Sequence, residues 1–190
     1  MSIIKRIAAI LFVLAIVVII LLWYVGFFGS YGVMEKLVGP YIFVYENVNE
    51  KIENSQEVQN RVFNTLRSDG FHPRKHFGIY IFGKAKKQDS IKAGCLIETE
   101  DSIKLNNYEN KYKILRFEKQ FALTAEFPYQ NRYSTISGMI RVYPSIKKYA
   151  KIKSFVLLPI IEIYDLPQKN IIYIMPIQSS RFNPVDALTQ

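Results

Sequence analysis

The chain has 190 residues, a formal net charge of +9 and one cysteine. A single cysteine excludes an internal disulfide. The basic residues are scattered, with only short clusters such as "KAKK" (84–87) and "KKYAKIK" (147–153), so no nucleic-acid partner is expected from a basic face on a known module.

The first thirty residues differ from the rest. Ile7 to Phe28, "IAAILFVLAIVVIILLWYVGFF", is an unbroken apolar run. As a helix it would be about 33 Å long, close to the hydrocarbon thickness of a bilayer. Lys5 and Arg6 precede it, and Trp23, Tyr24, Phe27 and Phe28 gather at its far end, where an aromatic belt would meet the lipid–water boundary. Residues 1–30 therefore predict a single-pass anchor in the lipid bilayer, spanning 7–28. A cleaved signal peptide is the alternative, but the run is longer than an h-region of roughly 7–15 residues and no A-x-A-like site follows. Only Lys36 is basic among the twenty residues after the span, so the positive-inside rule places the N-terminus in the cytoplasm and the domain outside, in the periplasm of a bacterial cell.

The remaining stretch suits one domain, 31–182, with a short tail, 183–190. "YIFVYE" (41–46) has strand composition. Asn54 with Glu57 three residues on predicts a helix start, Val58, Val62 and Leu66 form its apolar stripe, and Gly70 stops it. "FGIYIFG" (77–83) and "AGCLIE" (93–98) read as strands. Cys95 in the second reads as a small core residue. After the polar connector 99–111 come the strands "YKILRF" (112–117) and "FALTAEF" (121–127). A helix over 133–150 follows, with Ile136, Met139, Ile140, Tyr143 and Ile146 at core spacing and Pro144 expected to kink or restart it. "PIIEIYD" (159–165) and "IIYIMPI" (171–177) close the chain as two strands. The two halves, about 38–98 and 112–177, thus repeat a β-α-β-β order. Superposing them sets Gly78 on Glu162 and Tyr80 on Tyr164. The fold expected is α+β: a two-layer arrangement in which an antiparallel sheet carries both helices on one face. The other face must then be filled, covered or used.

No Walker-type or Rossmann glycine motif and no serine-nucleophile motif is present, so no cofactor is expected. His72 and His76 are four apart, but Pro73 spoils a shared helical face, and no metal site is expected there. Glu162 sits between two isoleucines. Strand alternation puts Ile160, Glu162 and Tyr164 on one face. A carboxylate in such a strand either meets solvent or backbone donors, with the tyrosines simply packing, or lines a pocket.

The duplicated pattern resembles the GyrI-like domain, the effector-binding domain of AraC-type and multidrug-sensing regulators. "VGPYIFVY" (38–45), "GIY" (78–80), "EIY" (162–164) and "IYIMPI" (172–177) carry the likeness. "TAEFPY" (124–129) and "RVYPSIKKY" (141–149) extend it to membrane-anchored GyrI-like proteins, whose animal members are ER-phagy receptors with a cytosolic domain. Two features depart from that group. The end of the chain, "SSRFNPVDALTQ", lacks the receptors' acidic interaction motif, so their role is not carried over. "IFGKAKKQ" replaces the Asn-Pro turn that usually follows the Gly-Ile-Tyr strand. The resemblance implies a pocket for a small lipophilic or cationic ligand, with Glu162 at its base and Tyr164, Tyr80 and Ile160 around it. It also implies two alternatives: an adaptor that binds a protein partner and keeps a vestigial pocket, and a small-molecule hydrolase using the glutamate as base.

Overall fold

The computed structural model describes residues 3–48, 55–81, 90–108 and 110–177. Among them the order is helix α1 (Ile3–Tyr24), strands β1 (Val33–Val38) and β2 (Tyr41–Val48), helix α2 (Ser55–Ser68), strands β3 (Lys75–Ile81) and β4 (Ser90–Ile97), short helix α3 (Ser102–Leu105), strands β5 (Lys113–Phe117) and β6 (Gln120–Pro128), helix α4 (Ser134–Ile152), and strands β7 (Ile160–Asp165) and β8 (Asn170–Pro176). Asn54, the "KAKK" cluster and the tail 183–190 lie outside the described residues.

The apolar helix begins and ends four residues earlier than the run 7–28 suggested. Gly26, at φ +73°, terminates it. The amide of Gly26 donates to Trp23 O and that of Phe27 to Leu22 O, the paired bonds of a Schellman end. α2 stops the same way at Gly70 (φ +78°), where Gly70 donates to Arg67 O and Phe71 to Leu66 O. Phe71 and Leu66 are both buried beside the strands, so the stop also closes a hydrophobic contact.

All eight strands join one antiparallel sheet in the order β1-β6-β8-β7-β3-β4-β2-β5. Exchanging β1 with β5, β2 with β6, β3 with β7 and β4 with β8 reverses the order and leaves it unchanged, so the halves are related by a two-fold pseudosymmetry. β1, a strand the composition of "VMEKLV" did not reveal, belongs to the first half but pairs with β6 of the second. β5 belongs to the second half and pairs with β2 of the first. Each half lends its opening strand to the other's edge.

That exchange forces the sheet to curl. β1 and β2 lie six strands apart in the sheet yet are joined only by Gly39 and Pro40, which can span roughly 10 Å. β5 and β6 are joined only by Glu118 and Lys119 in the same way. The two turns meet: a Cβ on Gly39 would lie 3.2 Å from Glu118 O. The curl fills the face that carries no helices. Phe43, Phe77, Ile79, Ile161, Ile163 and Ile174 are all buried there, with the Phe43 and Phe77 rings 4.4 Å apart. Lys92 shares this interior at 2% exposure, its Nζ 4.9 Å from the Tyr45 ring, a cation–π contact.

α2 and α4 share the opposite face. α2 buries Val58, Val62 and Leu66 against β2 and β4, as its spacing predicted. α4 departs from expectation. Ile146 is buried and Tyr143 half-buried as expected, but the rest of the buried stripe is Ser134, Ser137, Gly138, Val142 and Ala150, whereas Ile136 and Ile140 are 56% and 60% exposed. The cause is steric. Tyr173 of β8 rises beneath Gly138, where a Cβ would fall well inside the Tyr173 hydroxyl's contact distance. The small residues therefore face the sheet. α4 also runs as one helix through Pro144 instead of restarting, and Arg141 O, three positions before the proline, accepts hydrogen bonds from Ser145 Oγ at 3.0 Å and Tyr31 Oη at 2.9 Å.

Candidate functional site

The centre of the sheet is the β3–β7 pair, where the two halves meet. Gly78 stands opposite Glu162, Tyr80 opposite Ile160 and His76 opposite Tyr164. The pseudo-two-fold axis passes through the Gly78–Glu162 pair. One carboxylate therefore sits on the axis with a tyrosine from each half beside it, Tyr164 two residues along β7 and Tyr80 diagonally across on β3. Glycine at the equivalent position gives Tyr80 room, since a Cβ on Gly78 would lie 3.3 Å from the Tyr80 ring.

These residues face the helices. Between the first turns of α2 and α4 they leave a cavity of about 340 Å³. Tyr80 and Tyr164 line its floor, Ser55, Gln59 and His76 one wall, and Ile136, Met139 and Arg132 the other. Ser55 Oγ lies 3.3 Å from Tyr80 Oη, and Gln59 Nε2 donates to Phe77 O at 2.9 Å, which ties α2 to the central strand. Ile160 shares the face but is packed into the core beside α4 and is absent from the cavity wall.

Glu162 lies beneath the cavity, 0% exposed. Tyr164 donates to its Oε2, and Tyr143, from the middle of α4, donates to its Oε1 at 2.7 Å. Tyr173 is its cross-strand neighbour on β8. Four tyrosines, 80, 143, 164 and 173, thus surround one carboxyl group. Burial disfavours the charged form and pushes the Glu162 carboxyl up to about 7, against the downward pull of the Tyr164 and Tyr143 hydroxyls. The same burial, reinforced by the Glu162 charge, holds Tyr143, Tyr164 and Tyr173 far above the usual phenol range. The group is therefore poised between two charge states near neutral pH, with the tyrosines fixed as donors.

Sequence reasoning missed Tyr143 and Tyr173 as site residues. Tyr173 was within reach of a hairpin argument, because the tight turn between β7 and β8 sets it opposite Glu162. Tyr143 is seven residues, two helical turns, beyond Ile136 and shares its side of α4.

The two histidines lie apart from each other, and of the two His76 lines the cavity. His76 stacks on Phe63 at 5.1 Å, and burial holds its imidazole below the ordinary range. The His72 amide donates to Asp101 on the flank of α2. Among the described residues no three His, Cys, Asp or Glu side chains come together as a metal centre would require. Cys95 is buried, its thiol pushed up to about 12 by desolvation. That suits packing and not nucleophilic attack.

No family model matches the chain, and no curated protein matches it. Solved structures do. The C-terminal domain of EcmrR matches with a TM-score of 0.53 at 9% identity, covering 80% of this chain and 98% of that one. A hydrolase from Listeria innocua matches with a TM-score of 0.45 at 10% identity over 77% of this chain and 91% of its own. An uncharacterized conserved protein from Listeria innocua matches with 0.43 at 12%, over 77% and 92%. At such identities the likeness concerns fold alone. The curled eight-stranded sheet, the exchanged edge strands and the helix pair give this chain a GyrI-like fold, preceded by an apolar helix long enough to cross a membrane.

Proposed function

We propose that the chain is a membrane-anchored binding protein whose cavity takes a small lipophilic cation. The observation that carries the reading is a fully buried carboxyl group, Glu162, held by the Tyr143 and Tyr164 hydroxyls beneath the tyrosine floor of a cavity, with its pKa raised by burial. An unpaired buried charge is costly, so a cation entering above Tyr80 and Tyr164 gains an electrostatic partner as it shifts Glu162 to the ionised form. The tyrosine faces add cation–π attraction. Arg132 at the rim keeps its positive charge and opposes this attraction from the outer edge of the cavity, where its guanidinium is bonded to the Tyr133 hydroxyl and lies against that ring. The cavity is at the small end of ligand sites, roughly 300–1,000 Å³.

Binding fits better than hydrolysis. A general base needs a water within hydrogen-bond reach, and both oxygens of Glu162 are taken by tyrosine hydroxyls. α1 supplies the anchor. Its 22 residues carry no buried side chain, which fits a span and not a core helix. The balance of Lys5 and Arg6 against Lys36 supports an exported domain.

The test is titration of a rhodamine-type cation against wild type and Glu162→Gln. The substitution keeps the size of the side chain and removes its charge. Affinity should fall by about 1–3 kcal/mol, the range for losing a charge attraction that acts across the tyrosine floor without direct contact. Equal binding by the two proteins, or no binding of any cation in a panel, refutes the reading.

A further inference from the structure

The segment that follows α1 is tied to the domain by side chains. Three backbone carbonyls at or just beyond the helix end need partners that the helix cannot give. Tyr24 O accepts from Asn131 Nδ2 at 2.5 Å. Phe27 O and Gly29 O both accept from Arg141 Nη1, the second at 2.6 Å. The Arg141 guanidinium also lies 5.4 Å from the Phe27 ring and 4.8 Å from the Tyr31 ring. Tyr31 in turn reaches Ser145 Oγ at 2.9 Å. The partners advance from 131 to 141 to 145 as the chain moves away from α1. The start of α4 therefore sits beside the end of α1, and α4 leads away from it.

This arrangement explains the misplaced apolar residues of α4. Tyr133, Ile136 and Ile140 are 42%, 56% and 60% exposed, and they occupy the half of α4 clamped to the helix end. Trp23 and Phe28, at and just beyond the end of α1, are 70% and 57% exposed. The Arg132 guanidinium, stacked on Tyr133, is within electrostatic reach of Tyr24. Scattered exposed apolar side chains need no explanation, but these lie on the half of α4 that Asn131 and Arg141 tie to the end of an apolar helix. Arginine and aromatic residues at such a joint match the chemistry of the head-group region.

We propose that the first half of α4 docks on the bilayer surface, with Tyr133, Ile136 and Ile140 at the boundary between head groups and acyl chains, so that the cavity mouth opens at the membrane. This rests on the reading of α1 as an anchor. Ile136 is both a cavity wall and part of the docking face, so a molecule dissolved in the membrane meets the site without crossing bulk water.

The experiment uses full-length protein in phosphatidylcholine vesicles with brominated acyl chains. Bimane is attached at Ile140→Cys, and at Glu100→Cys near the far end of α2 as reference. Native Cys95 is buried and does not compete for the label. Bimane emission at Ile140→Cys should fall about twofold relative to unbrominated vesicles, since an interfacial face sits roughly 5–10 Å into the head-group boundary. The Glu100→Cys label should be unaffected. Protein that floats with the vesicles but shows no bromine quenching at Ile140→Cys, or the same quenching at both sites, overturns the docking while leaving the anchor intact. Protein that fails to float overturns both.

Discussion

The stability of this protein should fall as pH rises from 4.5 to 7, and Glu162 is the cause. Its carboxyl has a pKa of about 7 in the folded state against 4.5 for the unperturbed group. Between those values the folded chain holds a proton that the unfolded chain has released. Stability conferred by that proton is complete below pH 4.5 and is lost as pH passes through 7. The separation of the two values, at 1.36 kcal/mol per unit, amounts to about 3 kcal/mol. Other groups titrate in the same range. The His76 imidazole, held below 6.5 by burial, works in the opposite sense and favours the folded state as pH rises towards 6.5. The measurement is therefore a difference: urea unfolding of wild type and Glu162→Gln from pH 4 to 8, with the two stabilities subtracted at each pH. His76 and the carboxylates elsewhere cancel. The difference should decline by about 3 kcal/mol, with its midpoint between pH 5 and 7. A flat difference curve would refute the account of the site, and a rising one would mean that the Tyr143 and Tyr164 hydroxyls stabilise the carboxylate by more than burial penalises it.

Three further outcomes can be checked on the same protein. Tyr143→Phe removes one of the two donors to Glu162, so it should cost about 1.5–3 kcal/mol above pH 7, where the carboxylate is charged, and move the midpoint of the difference curve upward. Denaturant melts at pH 8 and pH 5 should show the larger loss at pH 8. Gly138→Ala drives a methyl group into the Tyr173 hydroxyl and should destabilise the protein by about 1–3 kcal/mol, with part of the loss recovered when Tyr173→Phe is added. Full-length protein should stay in the membrane pellet through alkaline carbonate extraction, and a C-terminal alkaline phosphatase fusion should be active in a bacterial host if the domain is exported. Recovery in the carbonate supernatant counts against the anchor, and an inactive fusion reverses the orientation.

Periodicity exposed the elements whose burial is one-sided. α2 reads cleanly because Val58, Val62 and Leu66 meet the sheet at regular helical spacing. β7 reads as a strand from its Ile and Tyr content, and alternation alone sets Glu162 and Tyr164 on one face. Two other features depend on residues distant in the chain. β1 carries Glu35 and Lys36 and exposes Met34 and Leu37, as an edge strand does, so its pairing with β6 leaves little local trace. The register of α4 follows Tyr173, thirty-five positions beyond Gly138, and a helix count that favours the largest apolar residues therefore finds Ile146 but wrongly adds Ile136 and Ile140. At the site, duplication leads to Tyr80 and Glu162. It does not lead to Tyr143, which comes from α4 and has no tyrosine counterpart on α2.

The exchange of opening strands also bears on how the chain is made. Val33 of β1 pairs with Ala125, 92 positions further along. At roughly 5–20 residues per second, a ribosome needs roughly 5–20 s to supply that partner. Through this interval β1 follows directly on an apolar helix with its hydrogen-bonding edge unmet. Two nascent chains held side by side in one membrane could satisfy each other's edges, because β5 and β1 are already strands that pair outside their own half. Glu35 and Lys36 in the middle of β1 place charge on the strand that waits longest, a feature that disfavours pairing with the wrong copy.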